Sequence, residues 1–408
     1  MRKRAFLAAA CTASATAFSA ALAPPASAAS TSACFWWFHT NESFFQTSSL
    51  GNTTTPGELA KCRAITLEDD DFPAGTDGYQ VIYRSTNEWG APIVVSGTVI
   101  VPPGGNKNII SLTSGTVGMR DKTVAGDSCA PSVGLPTGGA FVSNATAAYL
   151  KQGYTVAVTD YEGLRTPGPH PYLIGRSEGQ AQLDIARAVK KVPALASSHA
   201  NSKVLLTGYS QGGHSTLWAA QLQAAYAPEL EVVGAVAGAS PVDLVSTIDQ
   251  NNVSLGSSLF VYVISSYDTS YPELGLHSRL SSSGASFVDN HVGECSSANA
   301  LNLSLAYRSW SNLWQTGQNP LSDPAFLARA ARNSPPVAKP SMPLYMFHGD
   351  ADDIAPHDPD KAYADELRDL GGKVTWVTVA GGWHLAFTND PNRSMQWVKD
   401  RFAGVPLP

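Results

Sequence analysis

Short apolar runs, separated by polar segments that often carry glycine, recur along most of the chain. Tyr79 to Ser85 and Ile93 to Val101 are rich in valine, isoleucine and tyrosine, and Asn87-Glu88-Trp89-Gly90 between them predicts a hairpin-like connection. Asn108 to Thr113, Tyr154 to Thr159, Lys203 to Tyr209 and Glu231 to Gly238 are short enough for strands and apolar enough for a buried sheet. Pro343 to Phe347 and Val374 to Val379 read the same way. Between these runs the period changes. Gly179 to Val192 repeats apolar residues at helical spacing through Leu183, Ile185, Ala186 and Val189, and Gln211 to Tyr226 and Asp358 to Leu370 are helical as well. Strands alternating with helices predict an α/β fold, with a mostly parallel sheet covered by helices on both faces.

One stretch breaks this rhythm. Pro241 to Pro340 is serine-rich, holds aromatic and aliphatic clusters, and leaves through Pro335-Pro336. A hundred residues do not form one loop in a compact domain. The expected organisation is therefore a sheet domain in two parts, 29–241 and 341–408, with a mainly helical cap over 242–340. Within the cap, Leu255, Leu259, Phe260, Val263 and Ile264 recur at helical spacing, as do Tyr307, Trp310 and Trp314. Ala33 to Pro73, aromatic at Phe35-Trp36-Trp37-Phe38 and polar later, reads as an extension packed over the core.

The chain begins with Arg2-Lys3-Arg4, an alanine-rich apolar run to Ala23 and an Ala26-Ser27-Ala28 cleavage pattern, which together predict a signal peptide over 1–28 and an exported protein. A membrane anchor is the rival reading, but Thr12, Ser14, Thr16 and Ser19 interrupt the run. Cleavage after Ala28 removes three of 27 basic residues and none of 33 acidic ones, leaving a net charge of −9. So acidic a surface gives no reason to expect a nucleic-acid partner. Export also bears on the cysteines. Without Cys11 four remain, Cys34, Cys62, Cys129 and Cys295, an even number that suggests two disulfides and allows three connectivities. Cys34 and Cys62 flank the N-terminal extension and are expected to pair locally, leaving Cys129 and Cys295 to tie cap to sheet domain. No C-x-x-C or H-E-x-x-H pattern appears, so no metal and no cofactor is expected.

Gly208-Tyr209-Ser210-Gln211-Gly212 is a G-x-S-x-G sequence, a pattern that arises readily by chance. Its setting gives it weight: it follows a predicted strand and opens a predicted helix, the strand–turn–helix arrangement that lifts a serine hydroxyl above a sheet at a helix N-terminus. A serine needs a base to become a nucleophile, and in this arrangement the acid and then the histidine follow in the chain. Phe347-His348-Gly349-Asp350-Ala351-Asp352-Asp353-Ile354-Ala355-Pro356 ends a strand with three acids, and an H-G-x-x-D-x-x-V-P pattern laid over it selects Asp352 over Asp350 and Asp353, with Ala355 in place of the valine. Gly381-Gly382-Trp383-His384 follows the next strand and supplies His384 as the base. Of the other histidines, His214 is expected to pack or cap near the serine, His348 belongs to the acid-bearing motif, and His277 and His291 are expected at the cap surface. An oxyanion hole needs the backbone N–H of Gln211 and a second donor from Ser114-Gly115-Thr116-Val117-Gly118, where spacing leaves Thr116 and Val117 both open.

The chain resembles the secretory lipases of the lipase A type. The matching stretches are Tyr83-Arg84-Ser85-Thr86, Ser96-Gly97-Thr98-Val99, Cys129-Ala130-Pro131-Ser132, Asp160-Tyr161-Glu162-Gly163-Leu164, Leu183-Asp184-Ile185-Ala186-Arg187-Ala188 and Tyr271-Pro272-Glu273-Leu274, together with the C-terminal histidine motif. The resemblance implies an α/β-hydrolase fold, hydrolysis of esters or triacylglycerols without a cofactor, and a lid over an acyl tunnel that meets a lipid interface in passing. The chain departs from the pattern at Ser114, where many relatives carry histidine. Two other functions are compatible with parts of this pattern. An acyltransferase, or an esterase for a secondary metabolite or polyester, would keep the same triad. A binding protein built on a hydrolase fold would have lost its nucleophile or base, and this chain has both.

Overall fold

The computed structural model describes residues 34, 44–47, 50, 53–67, 69–119, 129, 140–252, 254–293, 309–385 and 390–407. The expected signal peptide, Phe35 to Phe38, Cys295 and Tyr307 lie outside the described residues. Nine strands form one sheet in the order β1-β2-β3-β5-β4-β6-β7-β8-β9. They are β1 (Leu59–Ile65), β2 (Asp77–Thr86), β3 (Pro92–Val101), β4 (Ile109–Thr113), β5 (Thr155–Thr159), β6 (Val204–Tyr209), β7 (Val232–Gly238), β8 (Leu344–Gly349) and β9 (Val374–Val379). β1, β2 and β3 run antiparallel, β3 joins β5 antiparallel, and every later pairing is parallel.

The strand period divides the core into two layers. Val204 and Leu206 of β6, with Leu344 and Met346 of β8, face the helices α2 (Gly175–Val189), α3 (Gln211–Tyr226) and α8 (His357–Asp369). Leu205, Tyr345 and Phe347 point the other way, toward α1 (Ala140–Leu150) and α9 (Met395–Ala403). A residue buried on either face removes its whole apolar side chain from water, worth roughly 1.5–3 kcal/mol each. That is why these strands lack polar alternation.

Between β7 and β8 the chain forms α4 (Leu244–Gln250), α5 (Phe260–Ser270), α6 (Ser282–His291) and α7 (Pro324–Asn333), joined by short 3₁₀ turns. Asp243 starts α4 by accepting the N–H groups of Val245 and Ser246, and Asp323 starts α7 ahead of Pro324. These helices share an apolar core of Phe260, Val263, Ile264, Tyr267, Trp310 and Phe326, which Tyr172 and Leu173 from the sheet side join. No helix among the described residues is long and apolar enough to cross a membrane.

Two expectations need correcting. Leu59–Ile65 was expected within a packed extension, but it is a strand paired with β2. Its alternation is hidden because Arg63 is buried, bonded through Nε to Gln80 at 2.8 Å and stacked on the Phe44 ring at 4.5 Å. Trp310 and Trp314 do not mark a face of an α-helix. Trp310–Leu313 is a single 3₁₀ turn, and both indoles reach the cap core from it and from the residue after it. Cys34 and Cys62 are joined as a disulfide, and Cys129 is disulfide-bonded as well. The first bridge ties the start of the extension to β1 across 28 residues. Closing a loop of that length is expected to stabilise the fold by about 3–4 kcal/mol. Replacing Cys34 and Cys62 by alanine should therefore lower the urea midpoint, with a steeper transition as the unfolded chain expands; an unchanged midpoint would contradict this.

Candidate active site

The site is built where β6 meets α3. Ser210 has φ 60° and ψ −121°, a conformation that side chains rarely adopt. Its neighbours must be glycine for a steric reason. A Cβ on Gly208 would lie 2.2 Å from the Gly212 carbonyl oxygen, and one on Gly212 would lie 2.4 Å from the Thr113 carbonyl oxygen. The turn is closed by hydrogen bonds from Ser210 N–H to the Gly238 carbonyl (2.9 Å) and from His214 N–H to the Ser210 carbonyl (3.0 Å). Gln211 is the first residue of α3, so its N–H belongs to a helix N-terminus with no partner within the helix.

Two strand ends bring the remaining groups to this turn. His384 follows β9, and its Nε2 lies 2.8 Å from Ser210 Oγ while its Nδ1 lies 2.6 Å from Asp352 Oδ2. Asp352 follows β8, and its other oxygen accepts the N–H groups of Ile354 (2.9 Å) and Ala355 (2.8 Å). Burial alone would push the Asp352 carboxyl up. His384 and His348 beside it outweigh burial and hold it well below the usual carboxylate range. Asp350 is exposed and accepts the Gly381 N–H instead, shaping the turn that carries His384. Asp353 is half-buried next to the acid.

Several groups at this site carried no sequence signal. Tyr209 donates its hydroxyl to the His384 carbonyl at 2.7 Å and sets its ring 5.5 Å from the imidazole, steadying the histidine from below. The Gln211 amide donates to Glu178 at 2.8 Å and to His170 Nε2 at 2.9 Å. Burial pushes the His170 pKa down, and a ring nitrogen that accepts a bond fits a neutral imidazole whose Nδ1–H donates to the Glu162 carbonyl. His214 is buried, its two nitrogens facing Glu178 and the carbonyl of Asn333 at the end of the cap. His348 is more than a neighbour of the acid. Its Nε2 lies 3.1 Å from the same Asp352 oxygen that His384 uses, and its Nδ1 lies 2.6 Å from Asp360. Burial would lower the His348 pKa, but the bonds to Asp352 and Asp360 raise it to about 9. In the cap, His277 pairs with Asp289 and His291 turns back to the Phe287 carbonyl.

Thr116 and Val117 part company. The Thr116 hydroxyl lies 2.9 Å from the Tyr172 hydroxyl, whereas Val117 packs on Cys129, Tyr161 and Leu164. Tyr172, Leu259, Phe260, Val263 and Trp310 line an apolar cavity that reaches Ser210. The arrangement joins a serine hydroxyl, an imidazole and a carboxylate in one hydrogen-bonded line, beside an apolar space and a helix N-terminus.

A family model described as Secretory lipase matches residues 142–407. Lipase 5 of Candida albicans is 28% identical over 345 residues, covering 80% of this chain and 72% of its own. Lipase A of Moesziomyces aphidis is 27% identical over 389 residues, covering 90% and 80%. The closed state of Candida antarctica lipase A superposes with a TM-score of 0.76 at 25% identity, covering 90% of this chain and 86% of that one. The rice cell wall degrading esterase LipA of Xanthomonas oryzae, at 20% identity and a TM-score of 0.68, shares the fold.

The buried His348 bridge has a measurable consequence. Its folded pKa, about 9, lies above the ordinary histidine value, so its stabilisation is complete below about pH 6.5 and is lost as pH rises through about 9. The melting temperature of the wild type should fall over that window more steeply than that of His348→Asn. Parallel slopes would contradict a protonated bridge.

Proposed function

The chain belongs to the secretory lipase family and is a carboxylic ester hydrolase, and from that premise we propose that Ser210, His384 and Asp352 carry its reaction through an acyl-enzyme. The carrying observation is the unbroken line from Asp352 through His384 to Ser210 Oγ, 2.6 and 2.8 Å, on a serine whose backbone is held at φ 60°. His384 Nε2 takes the hydroxyl proton as Oγ attacks the ester carbonyl carbon. The Gln211 N–H and the Thr116 N–H hold the negative oxygen of the tetrahedral intermediate; Thr116 is favoured over Val117 because its side chain bonds to a residue that lines the cavity. The proton passes from His384 to the departing alcohol. Water then repeats the sequence on the acyl-serine, releasing the acid and restoring the hydroxyl. Asp352 keeps the Nδ1 proton in place and stabilises the imidazolium throughout.

The apolar lining of the cavity supports a reading of the substrate class. An acyl chain lying against Leu259, Phe260, Val263 and Trp310 would gain roughly 0.8 kcal/mol for each buried methylene, nearly fourfold in affinity per carbon. On this reading 242–340 acts as a lid over medium-length acyl esters or triacylglycerols and contacts a lipid interface. Residues 1–28 act as the signal peptide, and the mature chain works outside the cell.

Ser210→Ala and His384→Ala should each lower kcat by about a million-fold, since such residues act as a unit. Asp352→Asn should cost far more than Asp350→Asn or Asp353→Asn, and the reverse order would remove Asp352 from its role. For p-nitrophenyl esters, kcat/KM should climb from acetate to medium chains and then level off, with Leu259→Ala and Phe260→Ala flattening the climb while sparing acetate. A steady fall from acetate onward would exclude the acyl cavity. Transfer to added alcohols in preference to water would identify an acyltransferase with the same triad.

A further inference from the structure

The loop that follows β5 contains a second strained residue close to Ser210. Tyr161 has φ 59°, in the left-handed region that costs a non-glycine residue roughly 1–2 kcal/mol, yet its side chain is fully buried. Its own N–H donates to the Thr159 hydroxyl at 3.0 Å, which accounts for part of that cost. Its side chain gives the conformation a use. The phenol donates to the Ser114 carbonyl at 2.7 Å, at the start of the loop expected to supply an oxyanion donor. Burial pushes the phenol well above its usual pKa, so it remains a donor across the working range of a histidine base.

The same ring also lies beside a partner of the Gln211 side chain. Its centroid lies 5.5 Å from that of His170, and His170 accepts the side-chain amide of Gln211. One side chain therefore touches both the start of the Ser114 loop and a partner of Gln211. We infer that Tyr161 is a positioning residue for the oxyanion hole, holding the Ser114 carbonyl and with it the start of the loop whose Thr116 N–H the tetrahedral intermediate needs. The inference rests on the triad reading above.

The geometry leaves the Ser114–Gly115 peptide little freedom. A peptide group is planar, so holding the Ser114 carbonyl also holds the direction of the Gly115 N–H, one residue before the Thr116 donor. The carbonyl is hemmed in from the other side by α3, where a Cβ on Gly212 would lie 2.8 Å from it. Gly115 itself borders the nucleophile, since a Cβ there would lie 3.7 Å from Ser210 Cβ. Without the phenol, the carbonyl would lose its donor and the peptide could rotate away from the intermediate. The ground-state ester, held mainly by the apolar cavity, would not register the change.

The test is Tyr161→Phe, which removes one oxygen and keeps the ring. Turnover per active site, counted with a fluorophosphonate, should fall roughly tenfold to 100-fold, short of the 10²–10³ typical of losing a donor outright. KM should stay within about twofold, and affinity for an alkylboronic acid that forms a tetrahedral adduct on the serine should fall by the same factor as kcat/KM. A merely structural role would move the melting temperature and leave this split absent. 4-Aminophenylalanine at position 161, which restores a donor, should recover turnover, whereas 4-methylphenylalanine should not; this pair also serves if the phenylalanine variant does not fold. Unchanged kcat and boronate affinity in Tyr161→Phe, with Ser210→Ala inactive, would overturn the inference alone. Persisting turnover in Ser210→Ala would overturn the triad and the inference together.

Discussion

A serine in the left-handed region of backbone space is disfavoured by roughly 1–3 kcal/mol, and Ser210 stays there because the surrounding structure allows no other course. β6 delivers the chain to the turn with Val204, Leu205 and Leu206 fixed on alternate faces of the sheet. α3 leaves it at once, and the two glycines either side let backbone pass backbone where a methyl group would collide. The strain has a geometric result. It aims Oγ away from the sheet and toward the ends of β8 and β9, where the acid and the imidazole are carried.

Around that turn the protein buries a set of charged and polar groups, and those that hold the acid and the imidazole are paired. Asp352 accepts from two backbone N–H groups and two histidines, so its charge is satisfied without bulk water. His348 passes part of that interaction on to Asp360, a second buried carboxyl. Glu178 gathers the Gln211 amide, the Leu173 N–H and His214, and His214 in turn bonds to Asn333 at the end of α7. Each buried hydrogen bond of this kind offsets the cost of removing its groups from water and narrows the arrangements open to the site. The last of these bonds ties the base of the cap to the helix that begins beside the nucleophile.

Much of this was legible in the chain because the relevant signals are local. Buried strands show as short apolar runs, and Ser210, Asp352 and His384 each stand at the end of one, within a recognisable few residues. β1 was hidden because its inward polar residue, Arg63, is satisfied by Gln80 and Phe44, partners that no local pattern discloses. Tyr161, His170 and Glu178 were unreadable for a related reason. Their roles exist only where segments 33 to 47 residues apart meet, as in the bonds from Gln211 to Glu178 and from Tyr161 to Ser114. The choice between Thr116 and Val117 likewise turns on Tyr172, which lies far along the chain.

The central claim is that one serine, activated by His384, forms the acyl-enzyme. Quenching the reaction with a slowly deacylating p-nitrophenyl ester and mapping the acylated peptide by mass spectrometry tests it directly. A single acyl group on Ser210 is expected, with a burst of nitrophenol of equal stoichiometry. Acylation of a different residue, or turnover with no covalent species on Ser210, would contradict it.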